Sequence, residues 1–405
     1  MKALVFDAPI PTYVATMVAG RLSDSFYVGP RATTRYGDVN EPPLPTSRWV
    51  RLRTILGGIC GSDLSIVTLN TSPSTSPFSS FPFVLGHENV AEVVEVGSSV
   101  RGVTRGARVT VNPLLCCEPR GIAPPCDGCA AGQHPRCTRF TDGDVPAGLM
   151  IGLTRSTGGS WGEQFVAHES QLVPVPEAVS NESAVLVEPF ACCVHAVRSS
   201  LPASGDRVLV IGAGSIGLLT VAALRALSPD VDVTVLARHA FQGEHARSLG
   251  ASTIVRARGD YVHELAEAAR ARLLRPIIGG PVAVGGFDGC FVCIGARRGI
   301  EDALRFTRAG GTAVLLGAAS KLDGVDWTPL WLKELTVRGS LTYGTHGHAS
   351  PHAHAFDEAA DLIASGRVKI EPLLTHTFPL ADYRRALATA MDKGAARSVK
   401  VAFSF

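Results

Sequence analysis

"DRVLVIGAGSIGLLTVAALRAL", residues 206–227, decides the fold class. "RVLVI" is an apolar strand, Gly212, Gly214 and Gly217 form a G-x-G-x-x-G turn, and "LLTVAALRAL" is a run of helix formers. A strand, a glycine turn and a helix in that order build the phosphate-binding corner of a doubly wound parallel sheet. The glycines permit a tight turn and close approach of a pyrophosphate. The helix start at Ser215 and Ile216 offers amide donors and the positive end of its dipole.

The same alternation continues towards the C-terminus. "VDVTVLA" reads as a second strand and "GEHARSLGA" as a helix with a glycine stop; "FDGCFVCIG", "GGTAVLLG" and "ELTVRGSL" are further buried strands. Strands separated by helix-length segments indicate βαβ units. "AFDEAADLIASG" is an amphipathic helix and "SVKVAF" a closing strand. The second strand ends at Ala237, Arg238 and His239, where an NAD site usually carries Asp or Glu for the ribose 2′-hydroxyl. With no carboxylate there and an arginine able to hold a 2′-phosphate, NADP(H) is expected over NAD(H).

Towards the N-terminus the chain is mostly β and turn-rich. "WVRLRTILGGICGSD" runs from a strand into a bend, and "NVAEVVEVGSSV" and "GARVTVNP" are valine-rich strands. Residues 1–50 after "MKALVF" show no clear helix period, and 69–83 is a Ser/Pro-rich loop carrying Phe78, Phe81 and Phe83. The 405 residues suffice for two domains. The 38 basic and 36 acidic residues leave a net charge of +2, so neither nucleic acid nor an anionic membrane is an expected partner. "MKALVFDAPIP" lacks a signal-peptide layout, and no apolar run is long enough to span a bilayer. A cytoplasmic location is expected, and there ten cysteines suit metal binding better than disulfides.

Cys126, Cys129 and Cys137 cluster in a Pro/Gly-rich stretch, a spacing suited to a closed tetrahedral zinc site that needs a fourth thiolate. Cys117 is the favoured fourth, with Cys116 as the alternative; Cys192, Cys193, Cys290 and Cys293 sit in apolar segments as small core residues. A second set is spread through the chain: Cys60 in "GGICGSDL", His87 and Glu88 in "GHE", and Glu188 in "VLVEPFACCVHAV". Cysteine, histidine and a glutamate offer S, N and O ligands, a catalytic zinc set that leaves one position open.

These motifs, with "IGAGSIG" and "WLKELTVRGS", resemble the zinc-containing medium-chain dehydrogenase/reductase family, nearest its polyol (sorbitol) and threonine dehydrogenase-like branches. The resemblance implies a GroES-like catalytic domain of residues 1–190 completed by 339–405, around a Rossmann domain of 191–338. It implies one catalytic and one structural zinc, a homodimer or homotetramer, and hydride transfer between the coenzyme and a small alcohol or carbonyl. It makes Cys60 and His87 catalytic zinc ligands, Glu88 and Glu188 exchangeable acidic ligands, and Ser62 the hydroxyl that takes the alcohol proton. Three departures stand out: Ser65 replaces the usual relay histidine, Ala123 stands where the lobe's first cysteine is usual, and the N-terminal region and the 69–83 loop are long. The competing functions are a zinc-independent enone or quinone reductase and a non-catalytic dinucleotide sensor. "GTHGHASPHAH", with His346, His348, His352 and His354, reads as a solvated loop, with a relay or accessory metal site as the minor alternative.

Overall fold

The computed structural model describes residues 1–346 and 354–405; His348 and His352 of the histidine-rich stretch lie outside the described residues. The described chain divides into two compact units. One holds Met1–Glu188, Tyr343–Thr345 and 354–405; the other holds Pro189–Thr342 with His346.

The first unit is built on a long central strand, Trp49–Gly58. Along one side it pairs antiparallel with Asn89–Val96. Along the other it takes two partners in turn, Gln164–His168 beside its first half and the C-terminal strand Lys400–Ser404 beside its end. Leu374–Pro379, Arg108–Val111 and Leu172–Pro174 extend the sheet at its flanks. Valines and aromatics from these strands alternate into the core: Trp49, Leu52, Val93, Val109 and Phe165 form one apolar cluster. Leu4, Phe83, Trp161, Leu387 and Phe403 form another, with Trp161 edge-on to Phe403 at 5.2 Å. Burying each such side chain contributes about 1.5–3 kcal/mol. Trp161 Nε1 donates to Gly58 O at 2.9 Å, so the indole costs no lost hydrogen bond.

Residues 10–20 depart from the expectation. They form a helix, Ile10–Gly20, entered through prolines. Its Ile10, Val14 and Val18 face outward, while Thr16 and Gly20 are the buried positions. With the apolar stripe turned away from the core, the sequence carries no signal of which face packs.

The second unit is a six-stranded, fully parallel sheet in the order Thr253–Arg256, Asp232–Ala237, Arg207–Ile211, Phe287–Val292, Thr307–Leu315, Thr336–Gly339. Numbered along the chain this is 3-2-1-4-5-6, the doubly wound order, and the direction reverses beside Arg207–Ile211. The strands Arg207–Ile211 and Asp232–Ala237 are buried almost continuously, as expected where both faces are covered. Burial pushes the Cys290 thiol up to about 12, which fits a packing role. A short hairpin, Arg272–Leu274 with Val282–Val284, is an addition that the sequence did not announce; Ile277 and Ile278 at its tip are fully exposed.

Candidate active site

In the first unit, the strand Trp49–Gly58 delivers Cys60 to the start of a short helix, Gly61–Val67. Asp63, buried at that helix's third position, accepts the Cys60 N–H at 3.1 Å through Oδ2. Its other oxygen lies 3.2 Å from His87 Nδ1. One carboxylate thus fixes the cysteine backbone and orients the imidazole, leaving Nε2 as the free coordinating nitrogen. Burial alone would pull the His87 pKa down; Asp63 and Cys60 outweigh it and hold His87 well above the ordinary histidine range.

Glu88 follows His87 into the strand Asn89–Val96 and is fully buried. Lys400, also buried and brought in by the C-terminal strand, donates to its two oxygens at 2.5 and 2.7 Å. Burial opposes a charged Lys400, but the Glu88 carboxylate more than offsets it and raises the lysine pKa. The ligand atoms of Cys60, His87 and Glu88 lie within 4.8 Å of one another. A thiol, an imidazole and a carboxylate so close fit a zinc ion with one position open.

Glu188 is buried in the same unit but outside that tight set. Tyr343 donates its hydroxyl to Glu188 Oε1 at 2.9 Å. Burial pushes Glu188 up to about 7, against the opposing charge of His87 and with the help of Glu88, so its carboxyl is within electrostatic reach of the cluster. Ser62 occupies the helix turn directly after Cys60, and Ser65 spends its hydroxyl on Gly61 O at 3.0 Å.

The cysteine lobe is a separate cluster. The sulfurs of Cys117, Cys126, Cys129 and Cys137 lie within 4.8 Å of one another, fitting a closed four-thiolate zinc site. The tight turn Glu118–Ile122 folds the chain back so that Cys117 faces Cys126, whose N–H donates to Cys117 Sγ at 3.4 Å. Cys116 stands beside the set, acting by a hydrogen bond on Cys129, which with burial holds that thiol far up. Arg120 organises the loop. It is fully buried and directs its N–H groups at five carbonyls, those of Leu115, Asp142, Val145, Pro146 and Gly148. Burial lowers its pKa to about 10, and the neighbouring Cys137 and Asp142 resist that loss.

In the second unit the glycine loop leaves Arg207–Ile211 and enters the helix Ser215–Leu227. A Cβ on Gly217 would fall 1.7 Å from Gly212 O, so only glycine lets the helix start this close to the turn. Arg238 and His239 follow the neighbouring strand, His239 capping the helix Ala240–Ser248. Arg256, at the end of the next strand, donates to Arg238 O at 3.1 Å, and its buried Nε has no partner among the described residues. The histidine-rich stretch differs from expectation: His346 is half-buried with its Nε2 2.7 Å from His195 Nδ1, and His354 is half-buried against His134.

Asp63, Lys400, Tyr343 and Arg256 were not singled out by the sequence reading. Only Asp63, at capping distance from Cys60, carried a local signal.

The family profile described as alcohol dehydrogenase GroES-like domain matches residues 46–177, and that of zinc-binding dehydrogenase matches residues 215–365. The chain belongs to the zinc-binding alcohol dehydrogenase family. As a member of that family it is an oxidoreductase acting on alcohols, with a GroES-like domain and a Rossmann-type parallel sheet. It is 29% identical to L-idonate 5-dehydrogenase of Vitis vinifera over 88% of this chain and 87% of that one. It is 28% identical to sorbitol dehydrogenase 1 of Saccharomyces cerevisiae, covering 87% and 91%. Among solved structures, an NADP-bound protein of Sinorhizobium meliloti 1021, provisionally classed as a zinc-binding dehydrogenase, matches with TM-score 0.71 and 28% identity over 92% of this chain and 95% of that one. No described helix of this dehydrogenase is long and apolar enough to cross a membrane.

Proposed function

We propose that this dehydrogenase interconverts a polyol or other secondary alcohol and its carbonyl form, preferring NADP(H), with catalytic zinc held by Cys60, His87 and Glu88. The observation that carries the reading is the convergence of those three ligand atoms, backed by Asp63 on one side and Lys400 on the other. Bound zinc supplies Lewis acidity, lowering the pKa of a hydroxyl and polarising a carbonyl; bound nicotinamide supplies or accepts hydride. The chain's own residues do the rest. Asp63 holds the His87 tautomer, Lys400 donates to both oxygens of the buried Glu88, and Glu188 is the second acidic group of the centre. Ser62 takes the substrate proton. The polyol class is supported by the idonate and sorbitol dehydrogenases among its relatives.

The cysteine lobe is the structural zinc site of this reading, so the holoprotein should contain two zinc ions per chain by elemental analysis. A fully loaded protein with one zinc would remove one of the two sites, and a zinc-free active protein would favour the enone reductase reading instead. Ser62→Ala should lower kcat by about 100-fold, the usual weight of general acid–base assistance. Ser65→Ala should change little, because its hydroxyl is already committed within its helix.

Coenzyme preference rests on Arg238 and Arg256, which gather positive charge at two neighbouring strand ends, with His239 following Arg238 at the start of the next helix. The NADP-bound neighbour supports it. Arg238→Ala and Arg256→Gln should each weaken NADP(H) binding by about 1–3 kcal/mol, the scale of a charged hydrogen bond, with NAD(H) little affected. Better kcat/KM with NAD(H) in the parent protein would overturn the preference.

We further infer that residues 1–190 with 339–405 form the catalytic domain and 191–338 the coenzyme domain, which the division after Glu188 and after Thr342 supports. A cytoplasmic homodimer or homotetramer is our reading. Ten free cysteines support the reducing compartment, and exposed Trp331, Leu332 and Leu341 around the sheet-edge strand Thr336–Gly339 support self-association.

A further inference from the structure

The cysteine lobe and Glu188 are joined by one short segment of the same unit, Tyr343–Thr345. Thr345 donates its N–H to Gly132 O at 2.9 Å, and its carbonyl accepts from Gln133 Nε2 at 2.6 Å. Both polar backbone groups of Thr345 are therefore held by consecutive residues of the lobe, which lie between the thiols of Cys129 and Cys137. The contact is tight. Gly132 has φ +69°, and a Cβ there would sit 2.8 Å from Thr345 Oγ1, so any other residue would be strained and in collision.

Two residues before Thr345, the fully buried Tyr343 donates to Glu188 Oε1. Its ring lies edge-on to Phe356 at 5.1 Å and to His354 at 6.1 Å. His354 provides a second tie to the lobe. Its Nδ1 accepts the Phe356 N–H at 3.2 Å, so its proton sits on Nε2, which faces His134 Nδ1 at 3.2 Å. The chain is thus fixed two residues after Tyr343, where Gly132 and Gln133 hold the Thr345 backbone, and the Tyr343 ring lies beside a histidine that the lobe also contacts.

We propose that Gly132 and Gln133 of the cysteine lobe are positioning residues for Glu188, acting through Thr345 and Tyr343. The lobe then does more than knit a loop: its metal-held geometry sets one acidic group of the catalytic centre. The proposal rests on the reading that Glu188 belongs to the Cys60–His87–Glu88 centre.

The test uses the full chain with zinc left in the lobe and cobalt(II) exchanged into the catalytic centre. Visible absorption of the cobalt, kcat and the melting temperature are read together. Gln133→Ala and Tyr343→Phe should each shift the cobalt bands and lower kcat by about two- to tenfold, the rate equivalent of one hydrogen bond. The double variant should be no worse than Tyr343→Phe alone, because one acts through the other. Gln133→Lys, which keeps a donor, should restore the parent spectrum. If the alanine variant does not fold, Gln133→Leu, closer in volume, enters the same cycle. Additive losses in the double variant, or an unmoved cobalt spectrum with only a lower melting temperature in Gln133→Ala, would overturn the proposal. Glu188→Gln separates the two levels. If it leaves the cobalt spectrum unmoved, the reading of Glu188 falls and the proposal with it; if it shifts the spectrum while Gln133→Ala does not, the proposal alone falls.

Discussion

Cys60→Ser is expected to reduce alcohol oxidation by about a thousandfold or more while leaving the fold nearly as stable as before. The activity loss follows from the donor set. Among the described residues three ligand atoms converge, and in the variant a hydroxyl replaces the one sulfur among them. The acidity that zinc lends to a bound hydroxyl amounts to several kcal/mol of charge stabilisation, and each 1.4 kcal/mol is about tenfold in rate. The fold should survive because Cys60 is the N-cap of Gly61–Val67, and serine is a favoured N-cap. Steady-state kinetics, zinc content and thermal melting on one preparation check this. Zinc should fall from two ions to one per chain. Activity within tenfold of the parent would show that Cys60 is not a ligand in the working enzyme.

Lys400→Met should destabilise the first unit by about 3–5 kcal/mol, the cost of leaving a buried ion pair half-made. Glu88 is fully buried and both its oxygens accept from Lys400 Nζ. Methionine fills similar space and donates nothing, so the carboxylate stays in a dry site without its cation. Adding Glu88→Gln should recover most of the loss, since the uncompensated charge is then gone. The pH dependence has a definite sign. Folding raises the Lys400 pKa above its ordinary 10.5, so its contribution is fully present below that value and is lost only as pH rises through the higher folded one. The Lys400 titration itself therefore adds no slope to the gap between parent and variant from about pH 6 to 9. A gap of under about 1 kcal/mol would mean that the pair is relaxed or hydrated in solution.

Much of the fold was written locally. The glycine turn between an apolar strand and a helix, and the strands that recur after it, specified the parallel sheet because each signal spans only a few residues. Cys60, His87 and Glu88 were legible because metal donors are scarce residue types in glycine-rich bends. Their supports were not. Lys400 is one lysine in a short strand, and nothing near it says that the strand docks beside Trp49–Gly58 and aims it at Glu88. Tyr343 lies 155 residues from the Glu188 it holds. The helix Ile10–Gly20 and the hairpin tip at Ile277 and Ile278 were missed for a different reason. Both present apolar side chains outward, so patterning that assumes apolar means buried points the wrong way there.

The pairing of Lys400–Ser404 with Trp49–Gly58 also bears on how the protein is made. The Glu88–Lys400 contact closes a loop of 312 residues. During synthesis the second unit, nearly continuous from Pro189 to Thr342, can close as soon as it leaves the ribosome, whereas the first must wait with its sheet open for the last strand. The edge at Leu56–Gly58 is then a temporary aggregation hazard until residues 402–404 arrive to pair with it. A ribosome that stalls before residue 400 would release a closed second unit attached to a first unit in which Glu88 still lacks Lys400.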